Sequence, residues 1–220
     1  MSDTPITVRC SQLPLATTCA ESIRHDGMRW SADTEPADVG TAVHEWLSRR
    51  IICKSVDLAE IARNLGVEVD DMRPLCAWAL RAWEEIKKHF PNLKSDVEMR
   101  WTDPETGITL TGHVDFMSVV ESEKEVRIGD WKSGRLESKA MDQVRGYALL
   151  AVENLPNVDT AWAGLIHIRN RELESWKWSR AELREWWRGT AQKLQQSGYV
   201  AGPHCRFCGR ATTCPAQSRM

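Results

Sequence analysis

Residues 108–132 read ITLTGHVDFMSVVESEKEVRIGDWK, and this stretch decides the fold of the chain. Its two ends are rich in β-branched and apolar residues, and the polar run ESEK (121–124) separates them. This pattern predicts two neighbouring antiparallel strands joined by a turn. Asp115 falls within the first predicted strand, Asp130 ends the second, and Lys132 follows two residues later. In such a hairpin the two carboxylates can converge beside an ammonium group.

The segments around this hairpin follow a strand and helix order that indicates a fold class. DVEMRW (96–101) is β-rich and precedes the hairpin, and residues 138–154 have a helical pattern behind it. Two further β-rich segments, 160–169 and 172–179, are joined by a short polar turn, and a serine-capped amphipathic helix covers 179–198. The order β-β-β-α-β predicts an α/β core with a mixed sheet flanked by helices.

The first 90 residues are mainly helical in pattern. The apolar positions of ADVGTAVHEWLSRRIIC recur at helical spacing. Ser55 or Asp57 is a candidate cap for a helix that ends near Gly66, and Asp70 or Asp71 can start a longer one that stops before Pro91. The helices predicted here cover residues 11–26, 37–53, about 57–66 and about 71–90.

Length and composition favour one globular domain over residues 1–220, with 42% hydrophobic residues. Within it we expect 27–95 to form a helical insertion and 199–220 a cysteine-rich tail. No apolar run approaches the ~20 residues of a membrane helix, and the first ten residues have no signal-peptide core. We therefore expect a cytoplasmic protein without a membrane partner. Disulfides are rare in that compartment, so the seven cysteines need another explanation.

The paired carboxylates suit a hard divalent cation such as Mg²⁺ or Mn²⁺. A cation held there can activate a water for cleavage of a phosphodiester bond. Gly129 and Gly134 bracket Asp130, which predicts a place where the backbone approaches a ligand closely. The net charge of −2 neither favours nor excludes a nucleic-acid substrate, because carboxylates belong in such a site.

GHVDF followed by IGDWKSG resembles the core of the PD-(D/E)xK nuclease superfamily. MDQVRGYAL matches a Q-x-x-x-Y element and points to the RecB-like branch, which includes the RecB and AddB nuclease domains, the CRISPR adaptation exonuclease and phage exonucleases. The resemblance implies that Asp115 and Asp130 bind the metal and that the Trp131 carbonyl is a further ligand. It implies that Lys132 positions or activates the attacking water.

The same resemblance assigns three more side chains. Gln143 and Tyr147 match the Q-x-x-x-Y pair, which lies near the active site and contacts DNA, and His44 matches an early histidine that adds a metal ligand. From the residues alone, Gln143 and Tyr147 also fit an ordinary polar pair on one helix face, and His44 fits a core histidine. Glu98 occupies roughly the place of an early acidic residue of some members.

Cys205, Cys208 and Cys214 follow a C-x2-C-x5-C spacing near the end of the chain, in PHCRFCGRATTCPA. Such a loop can place three thiolates around one metal centre. Together with Cys19, they resemble the iron–sulfur members of the RecB-like branch, in which one N-terminal cysteine after an S-x-L pattern joins three C-terminal ones around a [4Fe–4S] cluster. Four thiolates are the expected ligation.

Two alternatives to this assignment stay open. Zinc binds four cysteines, or three cysteines and a histidine, at similar spacing, and His204 adjoins the C-terminal set. Cys10 can replace Cys19 as the fourth ligand. Cys53 and Cys76 fall within predicted helices and are interpreted as buried small hydrophobic residues.

Arginines and tryptophans interleave in RNRELESWKWSRAELREWWR (169–188), which suits phosphate contact and base stacking. We interpret this segment instead as a solvated hairpin with a tryptophan pair on its covered face. Arg135, just past Lys132, is a candidate phosphate contact.

The resemblance implies a restriction-endonuclease-like core. The sequence thus predicts a metal-dependent DNA exonuclease for single strands or duplex ends, in recombination, repair or CRISPR spacer processing, and the resemblance favours 5′-to-3′ degradation. Without helicase motifs it would work with a recombinase, a helicase or a CRISPR integrase. The alternative is a non-catalytic DNA-binding or assembly subunit that a metal cluster stabilises.

Overall fold

The computed structural model describes residues 5–24, 34–52, 55–134, 140–209 and 211–216. In these residues six β-strands form one mixed sheet, and helices cover its faces. The strands are β1 (Thr7–Arg9), β2 (Lys94–Thr102), β3 (Thr109–Val120), β4 (Glu125–Lys132), β5 (Thr160–His167) and β6 (Glu172–Ser179). The α-helices are α1 (Leu13–Ala16), α2 (Thr34–Arg50), α3 (Leu58–Leu65), α4 (Val69–Ile86), α5 (Ala140–Asn154) and α6 (Arg180–Gln195).

Strand β3 forks away from its neighbour β4 at the two predicted carboxylates. β2 lies antiparallel along one side of β3, whereas β1 and β4 share its other side. β1 pairs in parallel with residues 109–111 of β3, and β4 pairs antiparallel with residues 116–120. Residues 112–115 of β3 lie between these pairings. We call the point of separation, with Asp115 on β3 and Asp130 on β4, the strand fork.

The remaining strands follow the predicted crossover. β4 and β5 are parallel and are joined through α5, and β6 returns antiparallel to β5. A parallel pair requires such a crossover connection, and a helix commonly provides it. The predicted mixed α/β sheet is therefore confirmed, as is the order of its strands from 94 to 179.

Each face of the sheet has its own hydrophobic core. The α5 side buries apolar residues of the N-terminal segment, α5 and α6 against β3, β4 and β5. The opposite side buries residues of α2, α3 and α4 against the same strands, including Phe116 and Trp131. Alternating residues of β4 supply both cores, as the period of two of a strand dictates: Val126 and Ile128 face α5, and Trp131 faces the other way.

Local sequence signals fix several helix ends. Asp57 caps α3, because its side chain accepts a hydrogen bond from the Ala59 backbone at 2.9 Å. The same helix ends at Gly66, which has a left-handed φ of 69°. Ser179 and Glu182 form a capping box at the start of α6.

The predicted helix over 11–26 is wrong as a single element. The described part consists of a 3₁₀ turn (Cys10–Gln12), the single turn of α1 and a second 3₁₀ turn (Ala20–Ile23). The Thr17 hydroxyl donates to the Leu13 carbonyl at 2.9 Å, and such side-chain bonds compete with helix propagation. The sequence also gave no sign of β1, whose three residues are too few to show a period.

Gly129 serves packing rather than the approach of a ligand. A Cβ atom built there would lie 2.0 Å from the Phe116 ring, which crosses the strand at this position. The ring packs edge-on against Trp83, with centroids 5.3 Å apart, and tilted against Trp131 at 5.2 Å. The expectation from the sequence was therefore wrong for Gly129, and a Cβ at Gly134 would meet no atom within 4 Å.

Candidate active site

Asp115 connects three elements at the strand fork. Its Oδ2 accepts a hydrogen bond from the Trp131 backbone N–H at 2.6 Å, where β4 has left the β3 ladder. Its Oδ1 lies 3.2 Å from Nδ1 of His44, which α2 brings over the sheet. The side chain thus replaces the missing strand pairing and draws the predicted histidine into the same site.

Asp130 is buried at the fork, and only 3% of it is exposed. Its Oδ2 lies 2.8 Å from Nζ of Lys132, an ion-pair distance, but the angles are not those of a hydrogen bond, and this oxygen has no other hydrogen-bond partner among the described residues. Burial raises the pKa of Asp130, the Lys132 ammonium opposes this, and repulsion from Asp115 adds to it. Asp130 is therefore a buried carboxylate whose pKa stays raised although Lys132 forms an ion pair with it.

The pKa of His44 is raised despite its burial. Burial alone would lower it, but the negative charge of Asp115, the hydrogen bond to that carboxylate and the charge of Asp130 outweigh the loss of solvent. Two carboxylates therefore act on this ring, which places His44 within the field of the same site.

Lys132 is held from α5 by a hydrogen-bonded chain. Its ammonium donates to Gln143 Oε1 at 2.9 Å, and Gln143 Nε2 donates to the Tyr147 hydroxyl at 2.8 Å. The Tyr147 ring fits because Gly112 of β3 has no side chain; a Cβ there would lie 2.9 Å from the ring. Burial raises the pKa of Tyr147 well above its ordinary value, with Asp130 adding to the rise, so the hydroxyl stays protonated. The helix pair and the lysine form one network.

The residues at the fork fit a hard divalent cation. They offer carboxylate oxygens of Asp115 and Asp130, one of them buried and without a hydrogen bond, and an imidazole nitrogen of His44. The carboxylate oxygens suit Mg²⁺ or Mn²⁺, and the imidazole nitrogen favours Mn²⁺ over Mg²⁺. In the part of the chain that the structure describes, no group of three or more histidine, cysteine, aspartate or glutamate side chains is arranged so that it could hold a metal ion.

A family model described as the PD-(D/E)XK nuclease superfamily matches residues 11–215. The chain belongs to this superfamily. The match spans both the strand fork and the C-terminal cysteines, so the two candidate metal sites lie within the matched nuclease region.

Two further comparisons accompany the family match. A solved structure titled "Crystal structure of SSO0001" aligns with a TM-score of 0.44 and 14% sequence identity, over 99% of this chain and 89% of that one. A search of the curated proteins found no match. Within the described ranges, no helix is long and apolar enough to cross a membrane.

The four predicted cluster cysteines of this PD-(D/E)XK chain line one cavity. Cys19 from the N-terminal segment and Cys205, Cys208 and Cys214 from the tail line this cavity together. All six cysteines that the structure describes are free thiols. The cavity also receives Ser22, whose buried Oγ has no hydrogen-bond partner in the described residues. Four soft thiols and an unpaired hydroxyl suit a thiolate-ligated metal centre.

His204 keeps the zinc alternative open. It lines the same cavity, with Nε2 3.8 Å from the Cys205 sulfur and 2.8 Å from the Val200 carbonyl. The cavity lining therefore contains the residue types of both zinc sites, four cysteines or three cysteines plus one histidine.

The two ends of the chain meet beside this cavity through polar contacts. The Arg24 guanidinium donates to the Leu194 carbonyl at 2.9 Å and pairs with Glu21 at 2.8 Å. Glu21 in turn accepts from the Gly198 backbone at 3.4 Å. The N-terminal segment is thereby tied to the end of α6 and to the loop that leads to the tail cysteines.

Cys10 does not line the cavity, so the structure argues against it as the fourth ligand. It is fully buried in the α5-side core, and a Cβ on Gly146 would lie 2.9 Å from its sulfur. Burial raises its pKa well above the ordinary value, and Asp130 adds to the rise. Cys76 is buried in α4, as predicted. Cys53 and the candidate phosphate contact Arg135 lie outside the described residues.

The interleaved basic and aromatic residues make structural contacts, as the sequence analysis favoured. Trp176 and Trp178 stack at 6.1 Å and pack against the α5-side core, and Arg145 lies 5.5 Å over the Trp178 ring. Lys177 pairs with Glu125 at 2.6 Å, and Arg180 donates to the backbone of the loop before β5. Glu98, the loosely assigned acidic residue, is exposed on β2 opposite His113.

The sequence did not point to one residue that lies beside the network of Lys132, Gln143 and Tyr147. His167 ends β5 in register with Lys132 and is buried. Its only sequence signal was its place at the end of a predicted strand, where polar residues are unusual inside a buried core.

Proposed function

We propose that this chain is a metal-dependent DNA exonuclease of the iron–sulfur RecB-like type, acting on single strands or duplex ends. The observation that carries the proposal is the strand fork. There the Asp115 and Asp130 carboxylates, the Lys132 ammonium and the His44 ring occupy one site, and Gln143 and Tyr147 brace the lysine.

Asp115, Asp130 and His44 would hold Mg²⁺ or Mn²⁺, together with the Trp131 carbonyl that the resemblance implies. Such a cation, when bound, polarises a phosphoryl oxygen and lowers the pKa of a coordinated water. The Trp131 N–H and the His44 ring fix the orientation of Asp115, since each contacts one of its two carboxylate oxygens.

Lys132 would hold the attacking water and stabilise the charge that develops on the phosphate. Its ammonium has three donors, and Gln143 takes one of them at 2.9 Å. Tyr147 accepts from the same glutamine, so the amide oxygen is turned toward the lysine. The side chains of α5 thus position the ammonium group before substrate arrives, which limits the reorganisation needed during the reaction.

Cys19, Cys205, Cys208 and Cys214 would hold a [4Fe–4S] cluster, with zinc as the alternative. Their meeting in one cavity supports this part of the proposal. A centre bound by both chain ends closes a loop that contains the whole nuclease core, and closing a long loop removes much of the entropy of the unfolded chain. The centre would be structural and needs no redox step.

Exonucleolytic action, the 5′-to-3′ direction and the cellular partners rest on the family resemblance. A recombinase, a helicase or a CRISPR integrase would supply the DNA end. The proposed division of the domain, with 27–95 as a helical insertion and 199–220 as a cysteine-rich tail, rests on the sequence pattern.

Digestion of end-labelled oligonucleotides tests the proposal directly. Single-stranded, blunt and overhanging DNA, labelled at either end, are incubated with the purified protein and Mg²⁺ or Mn²⁺. Mononucleotides or short products released from the 5′ end are expected, and none with EDTA. A protein that binds these oligonucleotides but leaves them intact with both metals would favour the non-catalytic subunit instead.

A further inference from the structure

A buried histidine that the proposed mechanism does not use lies beside the catalytic lysine. His167 is aligned with Lys132 in the parallel pairing of β5 with β4. Aligned residues of parallel strands point to the same face, about 4.8 Å apart. Leu165, two positions earlier on β5, packs in the α5-side core. His167 therefore faces the side of the sheet from which Gln143 holds the lysine.

The His167 ring has an unusual environment for a buried side chain. Only 2% of the residue is exposed, and neither ring nitrogen has a hydrogen-bond partner within the described ranges. Nε2 lies 3.1 Å from Oε1 of Glu174 on β6. An unpaired buried polar group destabilises the fold, so a nitrogen kept in this state calls for an explanation.

The carboxylate of Glu174 decides which ring nitrogen is free. A carboxylate next to Nε2 favours the tautomer with its proton on that atom. Nδ1 then carries a lone pair and can only accept a hydrogen bond. Lys132 is the residue of β4 aligned with His167. Gln143 accepts from one of the three N–H groups of its ammonium, and Asp130 forms an ion pair with the same nitrogen, so one N–H group is left to donate.

The backbone around these two residues is also joined. The Ile168 N–H donates to the Lys132 carbonyl at 2.8 Å, and Arg169 Nε donates to the Ser133 carbonyl at 2.5 Å. The Arg171 N–H returns to the His167 carbonyl at 2.8 Å and closes the turn before β6. The end of β5 is thus fixed against the segment that carries the lysine.

We propose that His167 is a positioning residue for Lys132. Glu174 orients the imidazole, and Nδ1 accepts a hydrogen bond from a water that the ammonium also contacts. The lysine is then held from the β5 side by His167 and from the α5 side by Gln143. This inference rests on the proposed nuclease function, since it concerns the geometry of that site.

Substitutions that keep or remove the acceptor test the role. His167→Asn retains an acceptor oxygen close to the Nδ1 position, whereas His167→Leu fills similar space without one. We expect His167→Leu to lower kcat for DNA cleavage about tenfold with KM changed less than about twofold, as for other residues that orient a catalytic group. His167→Asn should recover most of the loss.

A double-mutant cycle separates positioning from simple destabilisation. If His167 and Gln143 hold the same ammonium, the effects of His167→Leu and Gln143→Leu on kcat should not multiply, because the second change acts on a lysine already loosened. Ile166→Val, a buried residue of β5 on the opposite face, is the matched control and should leave kcat unchanged. Thermal unfolding of each variant is measured alongside.

The outcomes are distinct. A wild-type protein that cuts DNA together with a His167→Leu variant of unchanged kcat would refute the positioning role alone. The same holds if Asn and Leu variants lose activity equally, or if their effects multiply fully with that of Gln143→Leu. A wild-type protein that cuts no DNA with Mg²⁺ or Mn²⁺ would refute the proposed function and this inference together.

Discussion

The two ends of strand β4 each bury a carboxylate, and they treat its charge in opposite ways. Glu125, at the start, receives Arg127 on one oxygen and Lys177 on the other, both at 2.6 Å. Asp130, near the end, keeps one buried oxygen without a hydrogen bond. Both are 3% exposed, so the difference comes from their partners and not from their depth.

The pKa values of the two groups follow this difference. Burial would raise the pKa of Glu125, but the hydrogen bonds and charges of Lys177 and Arg127 outweigh it and the pKa is lowered. Burial raises the pKa of Asp130, and the charges of Lys132 and His44 do not compensate for it. Glu125 therefore contributes to stability, whereas Asp130 costs stability and is kept for another purpose, as is common at active sites.

Asp130→Asn is expected to give the largest effect and to separate the two ends most sharply. The substitution removes a metal-binding charge and should reduce DNA cleavage at least about 1000-fold, equivalent to about 4 kcal/mol of transition-state stabilisation. The melting temperature of the metal-free protein should not fall, because an unsatisfied buried charge is removed. Cleavage rates and thermal unfolding on the same preparations measure both.

Glu98→Gln is the matched control for this variant. It removes one carboxylate of the same sheet, exposed on β2, and should leave cleavage and folding unchanged. If Asp130→Asn still cuts DNA at near the wild-type rate, Asp130 has no part in catalysis and the contrast within β4 has no functional meaning.

Cys208→Ser extends the comparison to the cysteine cavity. We expect a metal bound there to stabilise the fold rather than to take part in cleavage. Loss of one ligand should release the metal and lower the free energy of unfolding by about 3 kcal/mol, since a link across a long loop contributes about that much. Iron, sulfide and zinc analysis together with chemical denaturation follow the change. Absorbance near ~400 nm in the wild type would distinguish an iron–sulfur cluster from zinc.

Cys76→Ala provides the comparison for the cavity variant. This thiol is buried in α4 and away from the cavity, so the protein should keep its full metal content. A Cys208→Ser protein with unchanged metal content and stability would remove the tail cysteines from the proposed centre.

Glu125→Gln should produce the reverse of Asp130→Asn. Two cations lose a charged partner, and the free energy of unfolding at pH 7 should fall by about 2 kcal/mol, while cleavage is retained. Because the folded pKa of Glu125 is lowered, its stabilisation is present above the unfolded pKa and disappears as pH falls through the folded pKa. The difference between variant and wild type should therefore shrink at acidic pH.

Denaturation curves at several pH values between about 3 and 7 test this expectation. A gap between the two proteins that stays constant or widens on acidification would contradict the assignment of Glu125 as a stabilising ion. Loss of cleavage in a folded Glu125→Gln protein would also contradict the assignment of Glu125 to stability and of Asp130 to cleavage.

The sequence predicted the order of the long elements because their signals are local. The polar run 121–124 and the serine start of α6 mark real boundaries, and β4 and β6 begin and end as predicted. It failed at β1 and at residues 11–26, where pairing with β3 and side-chain bonds from Thr17 decide the conformation. Such tertiary and side-chain contacts do not change the hydrophobic periodicity of the sequence, so the sequence pattern does not reveal them.

The candidate site shows the same limit of sequence reasoning. Asp115, Asp130 and Lys132 form a motif with fixed spacing, and Gln143 and Tyr147 lie one helical turn apart, so their meeting was predictable. His167 lies 35 residues from Lys132 in the register that pairs them, and no motif connects the two. Gly112 likewise takes its role from the Tyr147 ring that packs on it.

Tyr147→Phe should give the smallest effect and is the finest test of how the fork end of β4 is organised. Phenylalanine keeps the ring that packs against Gly112 but removes the hydroxyl that accepts from Gln143 Nε2. The amide can then rotate, and its oxygen no longer points constantly at Lys132. We expect kcat to fall about tenfold with KM and stability nearly unchanged, because only the alignment of the lysine is lost.

The chain's second tyrosine supplies the control. Tyr199 lies beside the cysteine cavity, and the Tyr199→Phe variant should cleave DNA at the wild-type rate. A Tyr147→Phe variant with wild-type kcat would show that the lysine needs no support from α5, and Lys132 would then depend on its own strand and on β5 alone.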